Sequence, residues 1–206
     1  MMTLFWSSRS PYVRKVMVVA HEFGLVDRLE LVRVDVATVR ASPQISALNP
    51  LGKIPVLILE DGATLYDSGV ICEYFSTLNE VPFLFPRDPS ARILALRRQA
   101  LGNGMMDVLV VGRAEAKRPD GSRSLVHVEA YDRKLGDILA SLEGEAERLT
   151  RDAFSIGHIA IGCALDYMNF RYAGREWRTT HPTLGRWHDG FLERRSVRET
   201  AHAEVY

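Results

Sequence analysis

The residues best placed to do chemistry near the start of the chain form a short turn, Ser10-Pro11-Tyr12-Val13. Serine is a preferred N-cap, and proline suits the first helical position because the N–H it lacks would be unpaired there. The turn therefore predicts a helix that begins after Ser10. A serine hydroxyl at a helix N-terminus can stabilise a thiolate brought by a substrate, although helix capping alone also explains the residue.

One hydroxyl can supply most of the energy that such stabilisation needs. An unperturbed cysteine thiol has a pKa near ~8.5, so lowering that pKa to about 7 takes about 2 kcal/mol. A hydrogen bond to a charged group contributes about 1.5–3 kcal/mol. The helix dipole adds about 0.3–1 kcal/mol.

Two further segments have the chemistry to bind a peptide-like ligand. Pro55 begins a buried strand, where it cannot donate to the ladder. A cis proline there exposes the backbone of Ile54 for pairing with an extended peptide; an edge-strand proline without a ligand is the alternative. Ser68 is a good N-cap and Asp67 suits the positive end of a helix. Alternatively, Ser68 and free N–H groups bind a substrate carboxylate while Asp67 faces a substrate ammonium.

The elements that position these segments alternate between strand-like and helix-like patterns. Asp61-Gly62 between two apolar runs is a strong hairpin signal. The predicted strands are residues 3–6, 29–36, 54–59 and 64–66, and the predicted helices follow Ser10, lie within 38–46 and follow Asp67. The order β-α-β-α-β-β-α predicts an α/β domain, with helices packed on a mixed sheet.

The second half of the chain carries helical patterns only. Three prolines between residues 79 and 89 mark a linker. In the first helix beyond it, Gly102-Asn103-Gly104 predicts a kink or a close-packing point. We therefore predict an α/β domain over 1–78, a linker over 79–89 and an all-helical bundle over 90–206.

Composition argues against several other classes of protein. The 26 basic and 26 acidic residues of the 206-residue chain cancel, whereas nucleic-acid binding usually leaves a basic excess. No stretch approaches the ~18 apolar residues of a membrane span, and the histidine spacing does not predict a metal site. Cys72 and Cys163 are expected to be buried thiols. A cytoplasmic protein without metal, nucleic-acid or membrane partners is the expectation.

The motifs resemble two related folds. The turn at Ser10 resembles the Cys-Pro-Tyr-Cys redox turn of glutaredoxins, but serine and Val13 replace the two cysteines, so disulfide chemistry is lost. Three motifs in order resemble the N-terminal domain of cytosolic glutathione transferases: Ser-Pro-Tyr-x-Arg-Lys-Val, Asn-Pro-Leu-Gly-Lys-Ile-Pro-Val-Leu and Asp-Gly-Ala-Thr-Leu-Tyr-Asp-Ser-Gly-Val-Ile. The linker and helical second half also match that family, and the first turn looks closest to serine-type bacterial members and the tau and zeta classes. The resemblance implies a thioredoxin-like first domain.

The resemblance also implies a role for each residue of the site. Ser10 would hold the glutathione thiolate, with Ser8 or Tyr12 as alternatives. Ile54, before a cis Pro55, would pair through its backbone with the cysteinyl unit of glutathione. The remaining contacts would come from Lys53 near the glycine end, and from Asp67 and Ser68 at the γ-glutamyl ammonium and carboxylate. A second pocket, for a small apolar electrophile, would be lined by Tyr12, Met105, Met106 and Asp107.

The function implied is a glutathione S-transferase that acts in detoxification, with glutathione as co-substrate and no cofactor. The alternatives are glutathione-dependent reduction of peroxides or disulfides, and a transferase-like regulator without turnover. A homodimer is expected from the family and from Gly102 and Gly104, which permit close approach of another element. One departure is Ser155-Ile-Gly-His158, where many members have Asp at the last position, so we expect a weakened capping box.

Overall fold

In the computed structural model, which describes residues 1–35, 42–79 and 83–204, the chain divides into two units. The first comprises Met1–Arg92 and Arg195–Tyr206, and the second Ile93–Arg194. This division differs from the predicted helical domain over 90–206, because residues 195–204 hydrogen-bond to the first unit. Residues 36–41, 80–82 and 205–206 lie outside the described part, including portions of the predicted 38–46 and 79–89 segments.

The first unit is built on a mixed sheet with the strand order β2-β1-β3-β4. The strands are β1 (Met2–Trp6), β2 (Leu29–Arg33), β3 (Val56–Ile58) and β4 (Thr64–Leu65). Strand β1 runs parallel to β2, and β3 runs antiparallel to both β1 and β4. Phe5 lies opposite Val56, and Leu57 lies opposite Leu65. The carboxyl ends of β1 and β4 and the amino end of β3 therefore meet at one edge of the sheet.

The helices of the first unit follow the predicted order. They are α1 (Pro11–Glu22), α2 (Pro43–Leu48), α3 (Ser68–Thr77) and the short α9 (Arg195–Arg198). The apolar face of α1, including Val13, Val16 and Ala20, is buried. The arrangement confirms the predicted α/β class of the first part of the chain, with strands β2 and β3 shorter than expected.

The second unit is helical, as predicted. Its helices are α4 (Pro89–Ala116), α5 (Leu125–Arg151), α6 (Ile156–Arg171), α7 (Trp177–Thr180) and α8 (Pro182–Leu192). Helix α6 forms the core, since Ile159, Ala160 and Ile161 are fully buried. Helix α4 continues without interruption through Gly102, where a Cβ would lie 2.5 Å from the backbone carbon of Ala160. Gly102 therefore serves the close packing of α4 on α6.

The expectation of a weakened capping box at α6 is wrong. The N–H of Ser155 donates to Nδ1 of His158 at 3.1 Å, so the imidazole takes the part that a carboxylate plays in the usual motif. Nε2 of the same ring lies 3.1 Å from the carbonyl oxygen of Leu149, which can only accept. His158 is thus a neutral ring with its proton on Nε2.

Two findings concern membranes and metal ions, which the sequence does not predict as partners. Among the described residues, none of the helices combines the length and apolarity needed to cross a bilayer. Nor do those residues bring three or more His, Cys, Asp or Glu side chains together in a way that fits a metal ion.

Candidate active site

The three predicted site segments lie at the same edge of the sheet. Ser10 follows the carboxyl end of β1, Ile54 and Pro55 precede the amino end of β3, and Asp67 and Ser68 follow the carboxyl end of β4. Neighbouring strands are about 4.8 Å apart, so the ends of β1 and β4 are separated by two spacings, or about 10 Å. The fold thus aligns the three segments in a row across β1, β3 and β4.

Ser10 is the N-cap of α1, as predicted. Its Oγ accepts a hydrogen bond from the N–H of Val13 at 3.3 Å, and its side chain is half-buried. This bond uses a lone pair of the oxygen. The hydroxyl proton can therefore still be donated to a ligand.

The two alternative hydroxyl donors differ from Ser10 in their surroundings. The hydroxyl of Ser8 donates to the carbonyl oxygen of Ala203 at 2.9 Å, so its only proton is engaged within the first unit. Tyr12 lies in the first turn of α1 and is half-buried. Local hydrogen bonding thus favours Ser10 over Ser8 as the donor to a ligand.

The loop before β3 is held by a residue to which the sequence assigned no role. Asn49 is 2 % exposed, and its Nδ2 donates to the carbonyl oxygen of Lys53 at 2.9 Å. Its Oδ1 accepts from the N–H of Leu51 at 3.0 Å, and Gly52 follows with a φ of +63° that favours glycine. The Asn-Pro-Leu-Gly turn signal marks this loop in the sequence, but only the burial shows that Asn49 organises it.

Ile54 presents its backbone at the sheet edge. The Ile54–Pro55 peptide bond is cis, as expected, and both residues are buried. Within the described residues, no backbone hydrogen bond reaches the N–H or C=O of Ile54. The side chain of Lys53 is exposed beside it.

Asp67 and Ser68 divide their tasks differently from the sequence expectation. Asp67 is the N-cap of α3 and accepts from the N–H of Gly69 at 2.7 Å, so the N-cap role expected for Ser68 is wrong. Ser68 is the first helical residue and is 1 % exposed. Its Oγ has no hydrogen-bond partner among the described residues. A buried hydroxyl left unpaired costs about 1–3 kcal/mol, which points to a partner from outside the chain.

The electrostatics of the edge favour an anion. Helices α1 and α3 both begin there, at Pro11 and at Ser68. A helix N-terminus carries a partial positive charge and unpaired N–H groups, so two such termini attract a thiolate or a carboxylate.

The residues expected to line a second pocket lie on different elements. Met105 and Met106 are fully buried on α4, and Asp107 next to them is exposed. Tyr12 belongs to the first unit. Their role in holding a second substrate stays a prediction.

Family models match both parts of the chain. The model described as the N-terminal domain of glutathione S-transferase matches residues 9–78. The model of the C-terminal domain of glutathione S-transferase matches residues 123–190. The first match includes Ser10, Ile54 and Pro55, Asp67 and Ser68.

Relatives cover almost the whole chain. The uncharacterized GST-like protein YibF of Escherichia coli K12 is 32 % identical over 201 residues, which are 97 % of this chain and 98 % of the relative. A glutathione transferase family member from Pseudomonas fluorescens Pf-5, solved with bound glutathione, is 38 % identical with a TM-score of 0.94, covering 98 % of this chain and 100 % of its own. A glutathione S-transferase from Methylobacillus flagellatus KT with bound glutathione is 36 % identical with a TM-score of 0.88, at the same coverage. The Pseudomonas protein has also been solved with bound S-(propanoic acid)-glutathione.

Proposed function

Because the chain belongs to the glutathione S-transferase family, we propose that it binds glutathione along the edge of its sheet and activates the thiol at Ser10 for transfer. The observation that carries this proposal is the buried hydroxyl of Ser68 at the start of α3, which has no partner among the described residues. It lies in line with the backbone of Ile54 and the hydroxyl of Ser10. These groups complement the carboxylate, the central peptide unit and the thiol of the tripeptide.

The length of the row supports a tripeptide ligand. The ends of β1 and β4 are about 10 Å apart, which is about the reach of two extended residues and one side chain, the part of glutathione between its thiol and its γ-glutamyl end. A thiol at Ser10 and a γ-glutamyl group at Ser68 are thus compatible with one extended molecule, whose cysteinyl unit would pair with Ile54 between them. Lys53, exposed beside Ile54, is available to the glycine carboxylate.

The chemistry proposed for Ser10 is thiolate stabilisation. Its hydroxyl donates to the sulfur, and the N-terminus of α1 adds a favourable dipole. Together they are worth about 2–4 kcal/mol, which is enough to bring the thiol pKa from ~8.5 to about 7. The thiolate then forms a carbon–sulfur bond with an electrophile, whose leaving group departs with the bonding electrons.

Support for transfer also comes from a relative. The Pseudomonas protein with S-(propanoic acid)-glutathione holds a glutathione whose sulfur carries a carbon substituent. We propose that the present chain likewise accommodates S-conjugates. We also propose that the chain forms a homodimer with a role in detoxification. The proposed location is the cytoplasm, where cysteines stay reduced, as both buried cysteines of this chain are.

Calorimetric titration with glutathione, followed by assays against a panel of electrophiles and hydroperoxides, tests this function. Ser10→Ala is expected to cut transfer at neutral pH at least tenfold, since the charged hydrogen bond is lost, while glutathione affinity and fold persist. Ser10→Thr keeps a hydroxyl and serves as the matched control. Equal activity of wild type and Ser10→Ala from pH 6 to 8 would remove Ser10 from the mechanism.

The same experiment separates the alternatives. Turnover of hydroperoxides or disulfides without conjugation would identify a glutathione-dependent reductase. Glutathione binding with no turnover of any compound would identify a regulator that retains the fold. Absence of glutathione binding would overturn the proposal.

A further inference from the structure

The β-turn that leads to Ser10 is held by interactions of both of its central residues. The N–H of Ser10 donates to the carbonyl oxygen of Ser7 at 3.1 Å, which places Ser8 and Arg9 at the corners. Arg9 forms an ion pair with Asp35, just beyond the end of β2. Ser8 is tied to a segment almost 200 positions away along the chain.

The tie at Ser8 has two hydrogen bonds in opposite directions. The hydroxyl of Ser8 donates to the carbonyl oxygen of Ala203 at 2.9 Å. Nδ1 of His202 lies 3.0 Å from the carbonyl oxygen of Ser8 and must be the donor, because a carbonyl only accepts. Two reciprocal bonds fix the orientation of the Ser8 peptide as well as its position.

The closing segment, residues 195–204, is itself anchored on α1. Nη2 of Arg14, a residue 4 % exposed, donates to the carbonyl oxygen of Val197 at 3.2 Å. Nδ1 of His21 lies 3.0 Å from the carboxylate of Glu199. The segment therefore reaches the Ser7–Ser10 turn from a support on the same helix that Ser10 caps.

We propose that His202 and Ser8 are positioning residues, through which the closing segment sets the direction of the Ser10 hydroxyl. The inference rests on the proposed role of Ser10 as the thiolate donor. A hydroxyl must be held to a fraction of an ångström to donate well to a bound sulfur, and a 1 Å misplacement can cost about a hundredfold in rate. The hydrogen bonds of Ser8 and the ion pair of Arg9 together fix the Ser7–Ser10 turn. If one of the two interactions is lost, the turn can rotate about the other.

The test measures the pKa of the thiol of bound glutathione, by ultraviolet titration of the thiolate, in the full chain. His202→Leu removes the donor to the carbonyl oxygen of Ser8 and is expected to raise this pKa from about 7 by about 0.5–1 unit, leaving about two- to fivefold less thiolate at about pH 7. His202→Asn keeps an N–H near the place of Nδ1 and is expected to restore the wild-type value. Ser8→Ala deletes the other half of the tie and provides a second variant if His202→Leu does not fold.

Controls separate positioning from general loss of stability. Ser124→Ala removes an N-cap hydroxyl in the second unit and is expected to lower the melting temperature without moving the thiol pKa. In a Ser10→Ala background, His202→Leu should add no further shift, because the group that it positions is absent.

The outcomes distinguish the two proposals. A wild-type thiol pKa near ~8.5 would overturn the role of Ser10 itself. A lowered wild-type pKa that Ser10→Ala abolishes, but that neither His202→Leu nor Ser8→Ala changes, would overturn the positioning role alone. A shift in both variants with rescue by His202→Asn supports it.

Discussion

At the scale of single residues, two serines at helix starts have different surroundings. Ser10 caps its helix and keeps its proton available, whereas Ser68 lies one position inside its helix because Asp67 takes the cap. The hydroxyl of Ser68 is consequently buried without a partner among the described residues. Both positions are therefore suited to the anionic groups of glutathione that we propose they bind.

Replacing Asp67 by Asn tests whether this carboxylate recognises glutathione in addition to capping α3. Asn caps about as well as Asp, so the stability of Asp67→Asn should be close to that of the wild type. Loss of a charged partner for the substrate ammonium, worth about 1.5–3 kcal/mol, should weaken glutathione binding about tenfold to a hundredfold. Calorimetry and thermal unfolding measure the two quantities.

A matched control lies in the same unit. Oδ1 of Asp88 accepts from the N–H of Ala91 at 2.8 Å at the start of α4, and no site role is assigned to this residue. Asp88→Asn should therefore alter neither stability nor glutathione affinity appreciably. Unchanged affinity in Asp67→Asn would leave that residue with a capping role only.

At the scale of elements, the start of α6 couples a capping motif to protonation. Burial, reinforced by the charge of Arg98, lowers the pKa of His158 from 6.5 to about 4. Protonation would turn Nδ1 into a donor and break its bond with the N–H of Ser155. The folded chain therefore resists protonation of this ring.

The stability of the protein is expected to fall with pH through this histidine. Between pH 6.5 and about 4 the unfolded chain binds the proton and the folded chain does not, so stability is lost as pH falls through that window. The loss between pH 7 and pH 4.5 should be about 2–3 kcal/mol greater than in His158→Gln, where the amide serves the capping box without titrating. Urea unfolding at the two pH values gives the difference.

The chain provides its own comparison for that experiment. His127 occupies the same position relative to the N-cap Ser124 of α5, but it is exposed. His127→Gln should leave the pH dependence of the wild type in place. If His158→Gln retains the full pH dependence, another group is responsible.

Two glycines of α4 should respond to alanine with opposite signs. A Cβ at Gly102 would lie 2.5 Å from the backbone of Ala160, so Gly102→Ala should destabilise the fold by about 1–3 kcal/mol. Gly104 has open space where its Cβ would be, so Gly104→Ala should stabilise the helix by up to about 1 kcal/mol. Denaturant unfolding measures both, and equal effects would contradict the packing of α4 on α6.

At the scale of the whole molecule, we expect a homodimer. Gly104 lies in a shallow, mostly apolar groove of about 370 Å³ between α4 and α5, where a second copy can approach closely. Sedimentation at micromolar concentration should give a dimer, and Gly104→Arg should shift it toward monomer by filling the groove. Gly144→Arg places the same side chain at an open position of α5 away from the groove, and should leave the dimer intact. A stable wild-type monomer would contradict the prediction.

The sequence by itself determined the order of the elements and which segments lie together at one edge of the sheet. Helix starts such as Ser10-Pro11 and the Asp61-Gly62 hairpin depend on groups within a few residues of each other. Because the sheet order follows from few permitted connections, the three motifs were bound to meet near one edge. Interactions between residues close in sequence were therefore sufficient to predict the order of the elements.

Only the tertiary structure decided which polar groups are engaged. The hydroxyl of Ser68 is buried by the packing around α3 and has no partner in the described part of the chain. The neutral ring of His158 depends on its burial and on the carbonyl of Leu149. The closing segment joined the first unit because His202 meets Ser8, nearly 200 positions earlier. Such partners are far apart along the chain and come together only when it folds, so no local sequence pattern predicts them.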